Sequence, residues 1–102
     1  MHTATDNEGS VLFAPERLVA ETRADFRGAA LSHLEQLGAD AGALIIDMQH
    51  TTELDASGLG ILILVQKRAK ERGFSTHLRQ TPERVRNLLK LTMLDFLFEL
   101  RD

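Results

Sequence analysis

The chain has 102 residues, room for one domain, and is 43% hydrophobic but only 5% aromatic, so aliphatic side chains must fill its core. Twelve basic residues against fifteen acidic give a net charge of -3, which excludes nucleic-acid binding that relies on bulk positive charge. Cysteine is absent, which excludes disulfides and thiolate metal sites, and no apolar run approaches the ~18 residues needed to span a bilayer.

Met1 to Ser10 is polar, without the apolar segment of a signal peptide, and reads as a loose tail on a single domain over residues 11–102. A cytoplasmic protein is the expectation. Val11-Leu12-Phe13 is a short strand stopped by Pro15, and Arg17-Leu18-Val19 extends the same edge after a turn. Thr22 opens the first helix, with Asp25 three residues on as in a capping box. Phe26, Ala30, Leu34 and Leu37 recur at helical spacing, and Gly38 is placed to end the helix.

Ala43 to Met48 is a nearly continuous apolar strand, as expected where both faces are covered. A polar loop, Gln49 to Asp55, leads into a helix from Leu59 to Arg72, with Ser57 as N-cap and Gly73 as terminator. At 100° per residue, Gly58, Leu62, Val65 and Ala69 share a face that ends in small residues, so it lies close against the sheet. Leu59 and Ile63 fall on another side with Gln66, Lys67 and Lys70. Either the first half of this helix is deeply buried or Leu59 and Ile63 are open to a partner. Phe74 to Arg79 alternates as a strand covered on one side or near an edge, with His77 outward and solvated. Thr81-Pro82-Glu83 starts a third helix with Val85, Leu88 and Leu89 inside. Leu94-Asp95 turns into a last strand, Phe96 to Leu100. Alternating strands and helices predict an α/β fold with parallel pairing, whose functional loops leave the carboxyl ends of the strands.

The candidate site is therefore the loop and helix start around Asp55-Ala56-Ser57-Gly58-Leu59-Gly60. Ser57 is a structural cap worth ~1 kcal/mol, or a hydroxyl whose phosphate would meet free amides and the helix dipole. Asp55 reads better as a loop acid fixing the turn than as a catalytic carboxylate, since no second acid, base or nucleophile accompanies it. Thr51 and Thr52 read as loop hydroxyls. Gly58 and Gly60 read as close-packing and loop residues, because neither G-x-x-x-x-G-K-[ST] nor G-x-G-x-x-G is present. His2, His33, His50 and His77 have no metal-ligand spacing. No cofactor, metal or catalytic residue is expected.

These residues resemble the STAS domain family, which includes the anti-sigma factor antagonists. The apolar strand ending in Asp47, the polar loop, Asp55 to Gly60 and the apolar helix carry the resemblance. Arg17 to Phe26, Gly73 to Arg79 and Leu88-Leu89-Lys90-Leu91-Thr92-Met93-Leu94-Asp95 add to it, with Met93 where the family commonly has glycine. The resemblance implies a single STAS-like domain with about four strands, mostly parallel or mixed, and three to four helices. It implies a non-enzymatic binding switch. Ser57 would be phosphorylated by a serine kinase/anti-sigma factor and restored by a phosphatase. Partner contacts would come from Thr51, Thr52, Glu53, Asp55, Ala56, Ser57, Gly58, Leu59, Ile63, Gln66 and Lys67. Ala56 stands where a second serine is frequent, and the first strand region is short. The short strand region resembles divergent members that bind partners constitutively in membrane transport ATPase or chemosensory complexes. The apolar excess on the central helix could serve a homodimer as well as a heterocomplex.

Overall fold

The computed structural model describes residues 11–101; the expected tail, Met1 to Ser10, lies outside them. The chain runs β1 (Val11–Phe13), β2 (Arg17–Leu18), α1 (Arg23–Gln36), β3 (Ala43–Asp47), β4 (Glu53–Leu54), α2 (Ala56–Glu71), β5 (Ser75–Arg79), α3 (Glu83–Leu91), a 3-10 turn (Asp95–Leu97) and β6 (Glu99–Arg101). The expected α/β fold is present. Its main sheet has the order β1-β3-β5-β6 and is parallel throughout. A second sheet pairs β2 with β4, also parallel.

Strand order advances in one direction, and right-handed crossovers then send every helix to the same face. Leu12, Leu44, Ile46 and Leu78 line that face and are buried in one cluster with Phe26, Ala30 and Leu34 of α1, Leu62, Val65 and Ala69 of α2, and Val85 and Leu89 of α3. The other face of β3 carries Ala43 and Ile45, which are only half-buried. The expectation of full cover on both faces of β3 is corrected by this one-sided layering. β5 is covered by helices on one side, the first of the two alternatives expected for it, and it lies between β3 and β6.

His77 is on the predicted outer face, but it is 7% exposed, not solvated. Ile45 and Glu99 flank it in register, and its Nε2 lies 3.2 Å from the Glu99 carboxylate. The last strand is shorter than expected, because Asp95–Leu97 forms the 3-10 turn before β6 begins.

Helix ends follow the backbone's need to satisfy its free groups. Gly73, at φ 86°, ends α2 with its amide bonded to Lys70 O and the Phe74 amide to Ala69 O, both at 2.9 Å. The same closure ends α3, with Met93 N bonded to Lys90 O at 3.0 Å and Leu94 N to Leu89 O at 2.8 Å. There Met93 itself takes φ 59°. Thr22 precedes α1 but makes no side-chain cap. Its hydroxyl turns back, accepting from Val19 N at 3.0 Å and donating to Arg17 O at 2.7 Å. The Thr81 hydroxyl likewise caps nothing and is buried without a partner.

Candidate functional site at the start of α2

The loop after β3 is anchored before it reaches the surface. Asp47 is buried and accepts from Arg79 Nε and Nη2, each at 2.9 Å, and from Gln49 N at 2.9 Å. Thr51 is 1% exposed, and its hydroxyl donates to Pro15 O at 2.8 Å. Its side chain therefore ties the loop to the β1–β2 connection and faces away from the surface. Thr52 N donates to Glu16 O at 2.8 Å, and Arg17 pairs with Glu53 at 2.9 Å. The expected loop thus contains a short strand, β4, zipped to β2.

Asp55, not Ser57, caps α2. The helix begins at Ala56, three residues earlier than expected, and Asp55 Oδ1 accepts from Gly58 N at 2.8 Å. Its Oδ2 accepts from Ala20 N at 3.1 Å, across to the turn between β2 and α1. The Gly58 amide is the main reason the Asp55 carboxyl lies below its usual range; the Ala20 and Ser57 amides add in the same sense. Ser57 becomes the second residue of the first turn, half-buried. The helix dipole and the first-turn amides remain beside it.

Gly58 sets how closely this turn approaches β2. A Cβ there would overlap the Leu18 carbonyl oxygen and lie 2.8 Å from the Leu18 carbonyl carbon and 2.9 Å from Leu54 Cδ1. Gly60, by contrast, is exposed, with open space where its Cβ would be. The close-packing reading therefore holds for Gly58 and not for Gly60, and neither lies in a loop, since both are inside α2.

The buried face of α2 is Gly58, Leu62, Val65 and Ala69, as the periodicity predicts. Leu59, Ile63 and Gln66 are half-buried on one flank, and Lys67 and Ala56 are exposed. At 100° per residue, Ser57 falls on the opposite flank with Ile61, Leu64 and Arg68. The structure thus brings Thr52, Glu53, Asp55, Ala56 and Ser57 together at one end. It separates Ser57 from Leu59 and Ile63 by the exposed ridge of Ala56, Gly60 and Lys67. Sequence reasoning missed Ala20 and the Arg17–Glu53 pair. The available signal was Asp55 three residues before Gly58, a capping arrangement as favourable as one from serine.

Among the described residues no cluster of three potential metal ligands occurs, and no helix is long and apolar enough to cross a membrane. Comparison with known proteins agrees with the topology. A family described as "Mlab, STAS domain" matches residues 1–99. The fold is also that of the crystal structure of a Thermotoga maritima protein proposed to be an anti-sigma factor antagonist, at a TM-score of 0.76. That protein is 21% identical, over 91% of this chain and 80% of its own. With nearly its whole length matched by the family, this chain belongs to the STAS domain family.

Proposed function

We propose that this domain is a non-enzymatic regulator of the anti-sigma factor antagonist type, whose partner binding is switched by phosphorylation of Ser57. The observation that carries this reading is the placement of Ser57 in the first turn of α2, beside exposed Ala56 and Asp55. A phosphate there adds about -1.5 to -2 charge to a partner surface while the helix start tolerates it. The fold can persist while affinity changes. An enzyme using Ser57 and Asp55 is disfavoured, since both Asp55 oxygens are committed to backbone amides.

The partner in this reading is a cytoplasmic serine kinase/anti-sigma factor, with a phosphatase restoring the hydroxyl. The contact surface is Thr52, Glu53 and Asp55 to Ser57, together with Leu59, Ile63, Gln66 and Lys67. Thr51 and Gly58 act from beneath it. The test is titration of a kinase related to histidine-kinase ATPase domains against the wild type, Ser57→Ala and Ser57→Asp. Ser57→Ala should bind and Ser57→Asp should bind at least tenfold more weakly. Equal affinity for Ser57→Asp would count against the switch.

A second reading has one observation in its favour. Leu59 and Ile63 lie on the flank of α2 away from Ser57, so a partner seated there would not meet the phosphate. That arrangement suits a constitutive subunit of a membrane transport ATPase or chemosensory complex, or a homodimer. Binding lost in Leu59→Asp and Ile63→Asp but unchanged in Ser57→Asp would select it.

A further inference from the structure

The two carboxylate oxygens of Asp55 join parts of the chain that are far apart in sequence. Oδ1 holds Gly58 N inside α2, and Oδ2 holds Ala20 N in the turn after β2. The backbone link beside it is long, with Asp55 N lying 3.4 Å from Leu18 O. The turn is otherwise closed on itself by the Thr22 hydroxyl and by the Thr22 amide, which donates to Val19 O at 3.0 Å. Ala20 and Glu21 are exposed, so a change in this turn would be visible to a docked protein.

We propose that Asp55 is a relay that transmits the state of Ser57 to the Leu18–Thr22 turn, making that turn a second, responsive part of the partner surface. The proposal rests on the reading of Ser57 as a phosphorylation site. In the modification, the Ser57 Oγ–P bond forms as the terminal P–O bond of a nucleoside triphosphate breaks. The diphosphate leaves and the hydroxyl proton passes to a base of the kinase. The phosphate then sits two residues from Asp55 and competes for the same first-turn amides, Ser57 N and Gly58 N. It can replace Asp55 as the acceptor at the helix start. Repulsion between the two anions moves the carboxylate, and Ala20 N loses its acceptor. The helix start stays capped while the turn is released.

The test uses the full chain with phosphoserine installed at position 57 during synthesis, so that no kinase is required. Amide exchange is followed by NMR at Ala20 and Gly58. Phosphoserine should speed exchange at Ala20 about tenfold or more and leave Gly58 within about twofold. In Asp55→Asn, which keeps an acceptor but removes the charge, phosphoserine should change Ala20 less than about twofold. Unchanged exchange at Ala20 in the wild-type background would overturn the relay, as would an equal acceleration in Asp55→Asn. Either result leaves the switch reading standing, because that reading fails on different data: absence of phosphate at Ser57 in cells, or indifference of the partner to it.

Discussion

Replacing Gly58 by alanine should destabilise the domain, although alanine is the better helix former. The added Cβ meets backbone, the carbonyl of Leu18, and not a flexible side-chain end. β2 cannot yield without breaking its pairing to β4, so α2 must lift away from the sheet. Forcing an atom into such a contact costs up to about 3 kcal/mol, and the gain in helix propensity returns about 1 kcal/mol. The net expectation is a loss of about 2 kcal/mol. Gly60→Ala supplies the control, because it lies in the same helix with open space around it. It should gain about 1 kcal/mol from propensity alone. The two substitutions are chemically identical and two residues apart, yet should differ by about 3 kcal/mol, more than about 10 °C in Tm for a domain of this size. Urea unfolding followed by circular dichroism measures both. Equal stability of the two variants would refute the claim that α2 is seated on the Leu18 carbonyl.

Met93→Gly should stabilise the domain by about 1 kcal/mol in the same assay, because the side chain is 76% exposed and the residue sits at φ 59°, where glycine is unstrained. Arg79→Met should cost about 3 kcal/mol, since it leaves the Asp47 carboxylate buried without its cation; a cost below about 1 kcal/mol would contradict this pairing. Asp55 supplies a pH dependence. Its carboxyl is lowered in the fold, so in acid the unfolded chain binds the proton first and stability falls with pH. The contribution is complete above the usual carboxyl range near pH 4 and is lost as pH falls through the lowered folded value. Asp55→Asn should remove that component from a series of acid unfolding curves, and an unchanged acid limb would show that Asp55 is not held by the amides.

The sequence revealed most about α2. Four small or aliphatic residues at helical spacing named its buried face, and nothing in the tertiary structure overrode that period. The helix start was less legible, because Asp55 and Ser57 are equally good caps by residue type. Only the position of Ala20, 35 residues away, shows why the carboxylate is the one used. Arg17-Leu18 was legible as a strand but was expected on the β1 edge. β4 has two residues, too few for any periodicity, so its pairing with β2 in a separate small sheet was invisible. The alternation in β5 put His77 on the correct face. Its burial depends on neighbours in β3 and β6, and strand order is not written in a local pattern. The apolar run of β3 was misleading for the same reason: one-directional strand order covers one face with helices and leaves Ala43 and Ile45 half-buried.

The central claim is that Ser57 carries a reversible phosphate. It is tested most directly by peptide mass spectrometry on the protein isolated from its own cells, with and without phosphatase treatment. The account predicts one phosphatase-sensitive phosphate, mapped to Ser57 in the peptide containing Asp55 to Gly60, with an occupancy that changes between growth and stress. Complete absence of phosphate at Ser57 across those conditions would contradict it and leave Ser57 as a helix-start residue on a constitutive binding surface.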